Sequence, residues 1–261
     1  MLPEGVPESF WEDLAVAKRC ILMLDYDGTL APFHEDRDKA VPYPGVMESL
    51  KRIMGDPDTR LVIVSGRWTQ DLLRLLPLHP PPEMFGSHGL ERLFPGGRYQ
   101  VLDLEEKAVA GLAEIDAMAI HGGLEERIER KPGCLALHWR GQDSRTVEER
   151  RQTVEHEWRK VATDNGLSVT EFNGGMEVRA PGRDKGDAVR TILEEEPEGS
   201  VAAYLGDDRT DEDAFEAIKE GGLGILVTEE SRPSGATVRL KPPKGMLDFL
   251  RRWEAVRGRK D

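Results

Sequence analysis

Four short runs that are apolar at every position do most to limit what this chain can fold into. They are CILML at 20–24 followed by Asp25, LVIV at 61–64 followed by Ser65 and Gly66, VAAYL at 201–205 followed by Gly206 and Asp207, and LGILV at 223–227. A strand with one wet face alternates apolar and polar residues. A run without alternation belongs to a strand covered on both faces, as in a parallel sheet between two layers of helices. Helical spacing between the runs agrees: Val46, Leu50, Ile53 and Met54 recur on one face, and 69–76, 188–193 and 211–219 read the same way. Strand–helix alternation predicts an α/β fold with a doubly wound, mostly parallel sheet.

The middle of the chain follows another rule. CLALHWR at 134–140 alternates weakly, a charged amphipathic stretch spans 144–162, and LSVTEF, Asn173-Gly174-Gly175 and MEVR read as a hairpin. This predicts an inserted α+β domain at 99–180, between core segments 1–98 and 181–261, bounded by the turns Pro95-Gly96-Gly97 and Ala180-Pro181-Gly182. A chain of 261 residues is long for one core and suits such an insertion.

Composition removes several functional classes. With 33% charged residues spread along the chain, a folded, water-soluble protein is expected, and no apolar run approaches the ~20 residues of a bilayer span. The formal charge of −13 leaves no basic footprint for nucleic acid. It also makes an anionic substrate dependent on a local positive site. The acidic, proline-containing start (MLPEGVPESFWEDL) is unlike a secretory signal, and Cys20 and Cys134 read as buried thiols. A cytoplasmic location is expected.

Three of the four apolar runs end in groups suited to phosphate chemistry. In open parallel sheets, ligands bind beyond the carboxyl ends of the strands. Asp25 ends the first run and Asp27 follows two residues later, before Gly28 and Thr29. Two carboxylates this close call for a cation, and one of them can attack phosphorus. Ser65-Gly66-Arg67 ends the second run, where a hydroxyl and backbone N–H groups form an anion site, although a plain helix cap reads the same way. Lys185, just before an amphipathic run, opposes the helix dipole and so suggests a task such as neutralising phosphate. After the third run come Asp207, Asp208, Asp211 and Glu212. Asp207 is the expected metal ligand, Asp208 stands beside it or reaches the ion through water, and Thr210 or Asp211 suits a cap.

The order D-x-D-G-T-L, S-G-R, Lys, G-D-D-x-T-D resembles the four motifs of the haloacid dehalogenase superfamily. The insert between the second and third motifs resembles that superfamily's larger cap. Within it, Gly86-Ser87-His88-Gly89-Leu90-Glu91, Glu129-Arg130-Lys131, Leu135 to Arg140 and Met176 to Arg179 look like segments of trehalose-6-phosphate phosphatases. Trp139 stands where Tyr is usual, and Asp184 where Asn often precedes the Lys.

The resemblance implies a Rossmann-like catalytic core with a substrate-specificity cap that closes over it. It implies Mg²⁺-dependent hydrolysis of trehalose 6-phosphate through an aspartyl phosphate, with the chain acting as a monomer. Asp25 would be the nucleophile, Asp27 the general acid and base, and Ser65 and Lys185 the phosphate holders. Asp25, Asp27 through its carbonyl, Asp207 and Asp208 would serve the metal. Substrate would meet Thr29, Gly66, Arg67, His88 and Glu91 on the core, and Glu129, Lys131, His138, Arg140 and Glu177 on the insert. Phosphatases for sucrose phosphate or a glucosyl phosphoglycerate, a phosphomutase, and a non-catalytic sugar-phosphate sensor are the alternatives.

Overall fold

The computed structural model describes residues 5–34, 36–139, 144–172 and 174–258. It folds into two compact units, 1–100 with 183–261, and 101–182. The expected insert, 99–180, differs from the second unit by two residues at either end.

The first unit begins with α1 (Glu8–Val16), β1 (Cys20–Leu24), α2 (Val46–Met54), β2 (Thr59–Val64), α3 (Thr69–Leu75), β3 (Glu83–Gly86) and β4 (Glu91–Leu93), and β5 (Tyr99–Val101) runs across the boundary. The second unit holds α4 (Glu106–His121), β6 (Ile128–Lys131), β7 (Cys134–His138), α5 (Ser144–Asp164), β8 (Ser168–Phe172) and β9 (Gly175–Arg179). The chain then returns through α6 (Lys185–Glu194), β10 (Val201–Gly206), α7 (Glu212–Ile218), β11 (Gly222–Val227), β12 (Val238–Leu240) and α8 (Lys244–Arg257).

The large sheet runs β12-β11-β10-β1-β2-β3-β4-β5, with β1 in the middle. Neighbours from β12 to β3 are parallel, and β3 pairs with β4 antiparallel. The four apolar runs are four adjacent strands of this sheet. Their lack of alternation has its cause in the two cores. Leu22 and Leu24 face one, with Trp11, Leu50, Phe249 and Trp253, while Ile21 and Met23 face the other, with Val189, Ile192 and Phe215. The fold is therefore the expected α/β arrangement with a mostly parallel sheet, extended at one edge by β4 and β5.

α6, whose first residue is Lys185, is also anchored near its far end. Arg60 on β2 pairs with Glu83 on β3 and with Glu195 and Glu196 just beyond the helix. The second unit is a four-stranded antiparallel sheet, β6-β7-β9-β8, sharing one apolar core with α4 and α5. Among the described residues, no helix is long and apolar enough to cross a membrane.

Candidate active site

The site loops emerge from the carboxyl ends of β10, β1 and β2, which are side by side in the sheet. The backbone N–H of Asp25 donates to the Leu205 carbonyl on β10 at 2.8 Å, so the β1 end is registered before the chain turns. At the start of α6, Asp184 accepts from the Asp187 N–H and Asp187 accepts from the Asp184 N–H, a reciprocal cap. That cap satisfies the helix end, and Lys185 is left to point inward. Its Nζ lies 2.8 Å from Asp25 Oδ1 and 2.7 Å from Asp211 Oδ1, all three residues being buried. A lysine that opposes the dipole is thus held by two carboxylates. Burial disfavours its charge, but Asp211 and Asp25 outweigh burial and raise its pKa.

Asp207 completes the cluster: one carboxylate oxygen each of Asp25, Asp207 and Asp211 lie within 4.8 Å of one another. Gly28 makes this approach feasible. Its φ is +77°, and a Cβ there would fall 2.0 Å from Asp207 Oδ2. Were all three carboxylates ionised, they would outnumber the one ammonium by two. Burial raises the Asp25 pKa against the pull of Lys185, and burial with Asp25 and Asp211 raises that of Asp207. Asp207 Oδ1 is buried and meets no hydrogen-bond donor among the described residues. A buried carboxylate oxygen without a donor, in a cluster whose carboxylates outnumber its ammonium, fits a small hard divalent cation.

Asp211 is the residue that the sequence reading did not assign to the site. Its Oδ1 accepts from Lys185 and the Tyr204 hydroxyl, and its Oδ2 accepts from the N–H groups of Asp207 and Asp208 at 3.0 and 2.9 Å. Four donors occupy this carboxylate, so it organises the cluster. The signal for it was the D-x-x-D spacing of a capping box, Asp208 to Asp211. Asp208 itself is exposed and caps that turn, with Oδ1 2.6 Å from the Arg209 N–H. It does not join the three clustered carboxylates, because the turn uses its side chain.

Asp27 also stands apart from the cluster. Its two carboxylate oxygens accept from Arg67 Nε and Nη2, both at 2.6 Å. Arg67 is buried, donates to the Arg37 carbonyl at 2.9 Å, and lies over the Tyr26 ring at 5.4 Å. The arginine expected at the substrate is therefore committed to the carboxylate expected as acid and base. Ser65 is buried at the end of β2, and its hydroxyl accepts from the Arg67 N–H at 3.2 Å. The helix that follows begins only at Thr69, so Ser65 is not its cap. Thr29 is buried with no partner for Oγ1 among the described residues.

Gly66 and His88 are in contact: a Cβ on Gly66 would fall 2.5 Å from His88 Cε1. Ser87 and His88 both have left-handed backbones, with φ of 49° and 58°, a conformation costly for residues other than glycine. Glu91 holds that loop in shape. It is buried and accepts from the Thr69 N–H and hydroxyl, the Ser87 hydroxyl and the Tyr99 hydroxyl. With four donors in place, Glu91 serves the loop from within the core unit.

In the second unit, cross-strand register puts Glu129, Ala136 and Glu177 in one row and Lys131, Cys134 and Arg179 in the next. Glu129, Lys131, His138 and Glu177 thus share a face, opposite the apolar side that carries Leu135, Leu137 and Val178. They form two pairs, Lys131 Nζ to Glu177 at 3.1 Å and His138 Nε2 to Glu129 at 2.9 Å. Arg140 lies outside the described residues.

A profile of the family described as trehalose-phosphatase matches residues 23–244. Trehalose 6-phosphate phosphatase RA3 of Zea mays is 28% identical over 94% of this chain and 72% of its own length. Probable trehalose-phosphate phosphatase H of Arabidopsis thaliana is 30% identical over 94% of this chain and 75% of its own. The C-terminal domain of the Candida albicans trehalose-6-phosphate phosphatase superposes with a TM-score of 0.75 at 22% identity, covering 95% of this chain and 96% of that one.

Proposed function

The chain belongs to the trehalose-phosphatase family, and on that premise we propose that it hydrolyses trehalose 6-phosphate to trehalose and phosphate with Mg²⁺ as its cation. The observation that carries this reading is the gathering of buried Asp25 and half-buried Asp207, at the ends of neighbouring strands, with buried Lys185 at the start of α6. A nucleophile, a metal ligand and a phosphate-neutralising ammonium are then within reach of one phosphoryl group.

Asp25 attacks phosphorus, and its bond forms as the bond to the sugar oxygen breaks. Asp27 gives that oxygen a proton. Asp27 then takes a proton from water, the water oxygen bonds to phosphorus, and the Asp25–phosphorus bond breaks to return the free carboxylate. Lys185 offsets charge on the phosphoryl oxygens while Asp211 keeps its ammonium aimed at Asp25. The Ser65 hydroxyl takes a further oxygen. Arg67 orients Asp27 between its two proton transfers. Mg²⁺, held by Asp25, Asp207 and the Asp27 carbonyl, would neutralise the charge that the transferring group carries. For the sugar, the carboxylates of Glu129 and Glu177 suit paired hydroxyls as acceptors, and Lys131 and His138 as donors.

The test is phosphate release from a panel of sugar phosphates with Mg²⁺. Trehalose 6-phosphate should be turned over well above sucrose phosphate and monosaccharide phosphates, and Asp25→Asn should lower kcat by at least about 10⁴-fold. Equal turnover across the panel, or activity surviving in Asp25→Asn, defeats the reading.

A further inference from the structure

The loop between β11 and β12, residues 228–237, is irregular and ten residues long, yet it is tied tightly to the acidic segment after β10. Arg232 Nη2 donates to the carbonyl oxygens of Asp207 and Asp208, at 3.1 and 2.9 Å. Its Nη1 pairs with the Glu212 carboxylate and donates to the Pro233 carbonyl at 3.1 Å. Glu212 also accepts from the Ser234 hydroxyl at 3.1 Å and the Gly235 N–H at 2.8 Å, which closes the loop onto the start of α7.

We infer that Arg232, anchored by Glu212, is a positioning residue that holds the cation-binding loop in its working conformation. Asp207 and Asp208 are gripped from both sides: their N–H groups donate to Asp211, and their carbonyls accept from Arg232. The grip is needed because an ionised Asp207 carboxylate has an oxygen within 4.8 Å of oxygens of Asp25 and Asp211, which repel it. A loop held on one side only would turn Asp207 toward solvent until a cation arrived, and cation binding would then carry the cost of reordering it. The planar guanidinium reaches two carbonyls and a carboxylate at once, which a lysine ammonium does not reproduce. The inference rests on Asp207 being a metal ligand.

The sign of the effect separates positioning from charge. A guanidinium near a cation site weakens cation binding electrostatically, so removing its charge alone would tighten binding. Removing a positioning group weakens it. Mn²⁺ binding followed by electron paramagnetic resonance, without substrate, should be about tenfold or more weaker in Arg232→Met and intermediate in Arg232→Lys. The Mg²⁺ concentration for half-maximal activity should rise while kcat at saturating Mg²⁺ stays near wild type. Glu212→Gln, which leaves the guanidinium in place but loosens its anchor, should shift Mn²⁺ affinity the same way by less. Unchanged or tighter Mn²⁺ binding in Arg232→Met, with a wild-type Tm in chelator, overturns the inference. If that variant melts early, Arg232→Lys decides, because it keeps the charge and loses only the fork: wild-type Mn²⁺ binding there overturns the inference. Wild-type binding that persists in Asp207→Asn would instead remove Asp207 as a ligand, and the inference with it.

Discussion

The two units carry their charges in different ways. In the core, Asp25, Lys185 and Asp211 are at most 3% exposed and share one cluster with more negative than positive groups. On the second unit's sheet, Lys131 pairs with Glu177 and His138 with Glu129, with Glu129 and His138 22% and 25% exposed on their side chains. The core cluster has more carboxylates than cations, and its burial would strengthen every interaction with a phosphoryl group. Each of these acidic groups on the insert has a basic partner beside it, and under the proposed function each partner would exchange the other for a sugar hydroxyl. The proposed function assigns chemistry to the first arrangement and discrimination among sugars to the second.

After Asp25, the largest effect expected from this division is at Asp27. Asp27→Asn should lower kcat by about 10²–10⁴-fold. Arg67→Met should lose less, and the double variant should be no worse than Asp27→Asn alone, because Arg67 acts through that carboxylate. Inhibition by inorganic phosphate should be unchanged in Arg67→Met. A weakened phosphate inhibition would return Arg67 to the substrate.

Next comes the insert. Glu129→Gln and Glu177→Gln each remove a charge-assisted acceptor, worth about 1.5–3 kcal/mol, so kcat/KM for trehalose 6-phosphate should fall about 10- to 100-fold. Hydrolysis of a small aryl phosphate should change less than about twofold. Equal losses on both substrates would break the separation of chemistry from recognition.

The smallest effect sharpens the boundary. Glu91→Gln should cost about 1–3 kcal/mol of stability, read as a lower Tm, because four donors converge on its buried carboxylate. Its sugar specificity should be preserved. A changed specificity at constant Tm would move Glu91 to the substrate side.

Much of this was legible in the chain itself. Strand ends are read well because a strand buried on both faces must be apolar throughout, and the first polar residue after it marks the edge where ligands bind. Asp25, Ser65 and Asp207 were found that way, and the hairpin of β8 and β9 by its Asn-Gly-Gly turn. α8 carries the same kind of signal, with Met246, Phe249, Leu250 and Trp253 at helical spacing. α4 is harder, since its many alanines separate two faces weakly.

By itself the sequence determined which residues stand at the carboxyl ends of buried strands, since apolar runs and their punctuation are local properties. Only the tertiary structure decided how neighbouring charges divide their work. Asp207, Asp208, Asp211 and Glu212 differ little as residue types, but one faces Asp25, one caps a turn, one holds Lys185 and one anchors Arg232. Those partners come from 1 to 182 positions away in the chain. A carboxylate's role follows from which donor reaches it, and that is fixed by packing.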